Sequence, residues 1–335
     1  MSEIRIHRSL HQTNIVKFEH FFEDGENVYI LLELCQNQTL NELLKRRKRL
    51  TELEVRCYLI QLIAGVKYLH AHRVIHRDLK LGNLFLTDRM EVKIGDFGLA
   101  TKLEFEGDRK RTICGTPNYI APEIIDGKQG HSYEVDVWSL GVIIYTLIIG
   151  KPPFETSDVK TTYRRIKMNA YTFPDHISIS SQAKDLITKI LNLDPAMRPT
   201  LDEILEHPFL HVGSAIPKLL PASTLACPPS ASYMKQFVSG PIENERPRLE
   251  STAPSQLISD TKAGSKQASQ NNERVIIRFD TGKGESKKGI HEEEKKEEKK
   301  EEKKEESKKE GSREAIWVKK WMDYTSKYGI GTLSI

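Results

Sequence analysis

Three short runs concentrate the residues able to do chemistry: His76-Arg77-Asp78-Leu79-Lys80-Leu81-Gly82-Asn83, Asp96-Phe97-Gly98 and Ala121-Pro122-Glu123. Any one Asp or Asn taken alone reads as a turn or cap residue, but the order and spacing of the three runs together overturn that reading. Asp78 is placed to accept the proton of a hydroxyl and to aim the resulting nucleophile. Asn83 and Asp96 offer hard oxygens of the kind Mg²⁺ prefers. Lys80 can bring an ammonium to the place where negative charge accumulates. A held hydroxyl and neutralised phosphate charge, with little covalent work left to the protein, are the requirements of phosphoryl transfer.

These residues need rigid supports, and the hydrophobic periodicity supplies them. Leu40–Lys48 and Glu52–His72 carry apolar residues at three- and four-residue spacing, with Thr51 placed to cap the second helix. Val74–Ile75, Leu84–Leu86 and Val92–Ile94 read as short strands separated by polar turns, which puts Asp78 on a loop between helix and strand. Upstream, Ile15–Phe22 and Val28–Leu34 flank the turn-forming Glu23-Asp24-Gly25-Glu26 and read as an antiparallel pair. Two strands alone leave an open edge and an uncovered apolar face. After Glu134 the period is helical through about Leu210, interrupted at Lys151-Pro152-Pro153-Phe154 and at Pro174. Val137 to Gly150 is shorter than the ~20 residues that span a bilayer and is headed by Asp136, so it reads as a buried helix. A small strand region followed by a larger helical one predicts a bilobal α+β fold.

Composition bounds the alternatives. The 335 residues are 38% hydrophobic and 29% charged, with the apolar content crowded before about Leu210. A net charge of +4 is too mild to argue for nucleic acid or a membrane surface, so neither is expected as a partner. Cys35, Cys57, Cys114 and Cys227 form no metal or disulfide pattern, and no signal-peptide run follows Met1, so a reducing intracellular compartment is expected. Residues 212–290 have the Pro-, Ser-, Asn- and Gln-rich composition of a disordered linker. Residues 291–310 are a Glu/Lys-rich spacer without an apolar stripe. Aromatic content returns at Trp317-Val318-Lys319-Lys320-Trp321-Met322-Asp323-Tyr324.

The three chemical runs resemble those of eukaryotic-type protein kinases. Leu79-Lys80 and Gly115-Thr116-Pro117-Asn118-Tyr119 resemble the serine/threonine rather than the tyrosine class, which implies protein substrates with aliphatic hydroxyls and ATP and Mg²⁺ as cofactors. Glu33-Leu34-Cys35 resembles the adenine-binding hinge, with Leu32 as gatekeeper. Thr112, after Arg109-Lys110-Arg111, is the expected phosphorylation site of the activation segment, written by an upstream kinase, and Arg77 is the cation expected to receive the phosphate. His76 is expected to pack under Phe97, Asp136 to accept bonds from the catalytic-loop backbone, and Glu123 with Arg198 to form a buried ion pair. Glu3 matches the glutamate that pairs with a strand-borne lysine in kinases. The lysine and the Gly-rich loop are not among these residues, so impaired activity is expected of the chain as written. A catalytically dead scaffold or binding module on the helical lobe is the alternative, against which intact Asp78, Asn83 and Asp96 weigh.

More narrowly, Ser2–Leu10, Leu32–Cys35, Leu79–Phe85, Lys93–Lys102, Cys114–Glu123 and Gly150–Thr156 resemble Polo-like kinases. On that resemblance residues 1–35 are a remnant of the kinase small lobe, 36–211 the large lobe, and 316–335 the start of a first polo box, so the chain reads as truncated at both ends. Trp321 then matches the tryptophan of a phosphopeptide groove, although the phosphate-gripping residues of a second polo box are absent and docking of primed partners is not expected of this chain. The resemblance implies a cell-cycle kinase of cytoplasm and nucleus, placed at centrosomes, spindle poles and kinetochores.

Overall fold

The computed structural model describes residues 2–24, 27–211, 215–237 and, as backbone, 274–278. It opens with α1 (Ser2–His7), which buries Ile4, Ile6 and His7. Strands β1 (Phe18–Glu23) and β2 (Val28–Glu33) pair antiparallel, Phe22 opposite Tyr29, with a register shift between Phe18 and His20. Asp24 closes the turn by accepting the Asn27 N–H at 2.8 Å.

The larger lobe follows. Helix α2 (Leu40–Arg47) precedes α3 (Glu52–Ala71), which starts at a full capping box: the Thr51 hydroxyl accepts from Glu54 N–H and the Glu54 carboxylate accepts from Thr51 N–H at 2.8 Å. Short strands β3 (Val74–Ile75), β4 (Leu84–Leu86), β5 (Val92–Ile94) and β6 (Thr101–Lys102) form two antiparallel ladders, β3 with β6 and β4 with β5. Then come α4 (Pro122–Asp126), α5 (Glu134–Ile149), α6 (Val159–Lys167), α7 (Ser181–Ile190), α8 (Leu201–Leu205) and α9 (Pro208–His211).

Helix α5 is buried at every position from Val135 to Ile149, as expected of an all-round apolar helix at the centre of a domain. Its close approach to α7 depends on Gly141, where an added Cβ would stand 2.5 Å from Ile190 Cγ2. It ends at Gly150, whose φ of 97° and contact with the Lys48 carbonyl leave no room for a side chain. Trp138, Tyr58, Phe97, Phe154 and Phe209 are among the largest fully buried side chains of this core. None of the described helices is long and apolar enough to cross a membrane.

The structure departs from the sequence reading in two places. Part of the stretch read as linker packs on the large lobe: Leu220 and Thr224 are buried, and the Thr224 carbonyl accepts from Arg47, which also pairs with Glu54 at 2.8 Å. Helix α10 (Ala231–Lys235) follows, capped by the Ser230 hydroxyl. Strand β7 (Arg274–Arg278) lies antiparallel along β2, giving the order β1-β2-β7, so the edge expected to stay open is occupied. The compositional signal missed both because a few apolar residues inside a polar stretch do not shift its average. Residues 291–310 and 316–335, with Trp321, lie outside the described residues.

The tie between α4 and the rest of the lobe is the Arg198–Glu123 pair, two parallel N–H···O bonds of 2.7 and 2.8 Å, with Arg198 also donating to the Glu134 carbonyl and stacking 5.0 Å over Trp138. Removing one partner strands a buried charge. Arg198→Met is expected to lower stability by about 3–5 kcal/mol in urea denaturation; an unchanged midpoint would show that the pair holds nothing.

Candidate active site

Asp136, at the first turn of α5, is 0% exposed and makes the catalytic loop possible. Its carboxylate accepts from His76 N–H at 3.0 Å, Arg77 N–H at 2.9 Å and His70 Nε2 at 2.9 Å. Burial works to raise its pKa, but these donors and the charge of His70 hold it below the ordinary aspartate value. Arg77 can therefore sit at a φ of 66°, a left-handed conformation that costs a non-glycine residue stability. His76 Nε2 donates to the Gly95 carbonyl, 3.0 Å away, with its ring 5.2 Å from that of Phe97.

The loop presents Asp78, Lys80 and Asn83 together. Lys80 Nζ lies 2.6 Å from Asp78 Oδ2, and the Asn83 amide donates to the Asp78 carbonyl at 3.0 Å and to Oδ2 at 3.2 Å. Thr116 closes the set. Its N–H and hydroxyl donate to Asp78 Oδ1 at 3.0 and 2.6 Å, and its oxygen accepts from Lys80 at 2.9 Å. Sequence reasoning used Thr116 only as a mark of class. A threonine between a glycine and a proline carries no periodic signal, and its role appears only once the segment folds back over the loop.

Asp96 has a φ of 60°, stabilised locally by Gly98 N–H donating to its Oδ1 at 3.2 Å. It shares a cavity of about 130 Å³ with Glu3, His7, Ile30, Leu32, Asn83 and Phe85. His7 was not singled out from the sequence. Its Nε2 lies 2.7 Å from the Val16 carbonyl and its ring 4.5 Å from Phe97, so it connects α1 to the Asp96-Phe97-Gly98 turn. Burial pushes its pKa down to about 4, keeping the imidazole neutral. A second cavity of about 360 Å³, lined by Val16, Leu32, Glu33, Cys35, Thr39 and Phe85 among others, adjoins the hinge, a size within the range of small-molecule pockets. The Glu33 side chain turns away to Lys93 at 2.8 Å and accepts the Lys17 N–H at 2.7 Å, while its own N–H donates to the Lys17 carbonyl at 3.0 Å. Burial pushes the Cys35 thiol up to about 12, with Glu33 adding to the shift.

Thr112 is exposed, two residues after Lys110, whose backbone pairs with His131 at 2.9 and 2.8 Å. Arg77 donates through Nε to the Leu99 carbonyl at 2.7 Å. Its charge is felt at both Cys114 and His131; burial, with Arg77 next, pushes His131 down to about 4.

These features define a protein kinase lobe, and residues 1–210 match the family model of the protein kinase domain. The chain belongs to the protein kinase family. It is 64% identical over 276 residues to the probable serine/threonine-protein kinase CCRP1 of Zea mays, covering 82% of this chain and 43% of that protein. It is 47% identical over 331 residues to the serine/threonine-protein kinase PLK1 of Xenopus laevis, covering 98% and 55%, and 54% identical over 231 residues to the cell cycle serine/threonine-protein kinase CDC5/MSD2 of Saccharomyces cerevisiae, covering 69% and 32%. Within the family it is a Polo-like serine/threonine kinase. The chain spans about half the length of these relatives or less.

Protein kinases as a family use ATP and Mg²⁺, and the donor set here fits the metal. Asn83 commits its N–H groups to Asp78, leaving Oδ1 available, and Asp96 Oδ2 makes no hydrogen bond among the described residues. Among those residues no three His, Cys, Asp or Glu side chains converge to hold a metal unaided, which suits a cation whose shell is completed by phosphate and water.

Glu3 has no ion pair among the described residues. Burial, and then the charge of Asp96, push its carboxyl from 4.5 up to about 7. A folded-state pKa above the unfolded one means that the native state binds the extra proton between those values, so stability declines as pH rises from about 4.5 to about 7. Glu3→Gln is expected to flatten that decline, leaving a thermal midpoint at pH 8 closer to that at pH 5 by a few degrees. Parallel profiles for both proteins would place Glu3 in water.

Proposed function

We propose that this chain transfers the ATP γ-phosphoryl group to serine and threonine hydroxyls of protein substrates. The observation that carries the reading is the hydrogen-bonded set Asp78, Lys80, Thr116 and Asn83 beside the cavity that holds Asp96. Asp78 Oδ2 accepts the hydroxyl proton and fixes the oxygen in line with the phosphorus. Lys80, already held on Asp78 and Thr116, brings its ammonium to the transferring group. Asn83 and Asp96 would hold Mg²⁺, which would neutralise charge on the phosphates, and the backbone of Glu33 and Cys35, with the Leu32 side chain, would receive adenine.

Regulation is proposed on the same loop. A phosphate on Thr112, placed there by an upstream kinase, adds about −1.5 to −2 charge. Arg77, whose field already reaches Cys114 and His131, is the receiving cation. Relatives carry cell-cycle and Polo names, which supports cell-cycle substrates and placement at centrosomes, spindle poles and kinetochores.

Radiolabelled phosphate transfer to casein tests the activity. Transfer by the wild-type chain should fall to background in Asp78→Asn and by about 10²-fold in Thr116→Val, which loses only the aim of Asp78 and Lys80. Equal transfer by wild type and Asp78→Asn, or none by wild type, overturns the proposal.

A further inference from the structure

A cavity of about 370 Å³ lies away from the catalytic loop, bounded by the end of α3, the start of α5 and the residues that lead into α8. That volume is within the range of small-molecule pockets. Much of its wall is apolar. Tyr133 and Val137 come from the α5 side and Pro199 and Leu201 from the α8 side, with Val137 and Leu201 only 7 and 8% exposed. The charged groups around it are matched, with one exception. Lys67 of α3 pairs with Asp202 of α8 on the water-facing side. Arg198 is committed to Glu123 at 2.7 Å, and His70 Nε2 is turned to Asp136 at 2.9 Å. Glu134 forms no ion pair among the described residues, and its Oε2 is shut off from water without a hydrogen-bond partner there. A dry carboxylate oxygen left unpaired is costly, and a donor brought to it recovers that cost.

We propose that this cavity is a binding site for a small organic cation, a protonated amine carried on an apolar or aromatic body. The amine would donate a charge-assisted hydrogen bond to Glu134 Oε2, the bond that the protein itself does not supply. The body would cover Val137 and Leu201. The rings of Tyr133 and His70, tilted against each other with centroids 4.7 Å apart, stand in the same wall and present aromatic surface to a flat or cationic group. An anion is disfavoured, because the cations of the wall are already engaged and the free charge is negative.

The position of the site gives its occupant a route to the catalytic loop. His70 is one of the donors that hold Asp136, and Asp136 in turn holds the backbone N–H groups of His76 and Arg77. Arg198 ties Glu123 of α4 to the Glu134 carbonyl. A ligand packed against His70 and Arg198 would restrain both supports, although Asp78, Lys80 and Asn83 are not among the residues of this wall.

The test uses the full chain and does not depend on catalysis. Calorimetric titration with tryptamine, a cation at pH 7, should show saturable binding with a Kd of about 1 mM or tighter. 3-Indolepropionate keeps the ring and reverses the charge, and should bind about tenfold more weakly or not at all; Glu134→Gln should weaken tryptamine by about tenfold. Pro199→Trp, which fills the cavity from a half-buried wall and leaves its charged groups in place, should abolish the binding. Bound tryptamine should also slow amide hydrogen exchange at His76 and Arg77 while leaving residues 28–33 unchanged. No saturable binding, equal binding of the two probes, or an affinity for tryptamine that survives both substitutions overturns the proposal. So does protection confined to residues 28–33, which would put the probe in the cavity beside the hinge.

Discussion

Everything the catalytic loop does rests on one carboxylate that water cannot reach. Asp136 accepts two successive backbone N–H groups and a histidine nitrogen, and in a low-dielectric interior such bonds are strong when made and expensive when lost. They hold Arg77 in a left-handed conformation, from which its side chain reaches the Leu99 carbonyl while Asp78 meets Thr116 and Lys80. A helix buried along nearly its whole length carries Asp136, so the loop inherits the rigidity of the core rather than the mobility of a surface segment.

The same economy appears in how the lobes share residues. Lys93 reaches both Glu33 and the Thr13 carbonyl at 2.9 Å, binding the hinge strand to the segment before β1. His7 joins α1 to Phe97, and His76 packs against the same ring. The Asp96-Phe97-Gly98 turn is therefore contacted by two imidazoles, one of which burial keeps neutral. A change in α1 is felt at Asp96 through contact rather than through distance.

What the sequence made legible were residues whose role is set by spacing within one segment: Asp78, Lys80 and Asn83 on one loop, Asp96 heading its turn, the Thr51 cap, and the all-apolar α5. What stayed hidden were contacts between segments far apart in the chain. Thr116 reaches Asp78 across 38 positions and Arg47 reaches Thr224 across 177. Neither the residue types nor their neighbours announce such meetings. The β7 ladder was hidden for another reason: three β-branched residues within a polar stretch are too few to distinguish a strand from chance. Glu33 shows the reverse case, a residue assigned from the sequence to a hinge whose carboxylate is engaged by Lys93 and the Lys17 N–H.

The buried Thr224 separates two kinds of boundary. The match to the protein kinase domain model ends at residue 210, whereas the Arg47–Glu54 pair is closed over by a carbonyl fourteen residues further on. The unit that the domain model describes is thus shorter than the unit packed together in this protein. Anyone cutting the chain at the end of that match would expose a desolvated guanidinium, and the damage would be felt in α2 and α3, far from the cut in sequence.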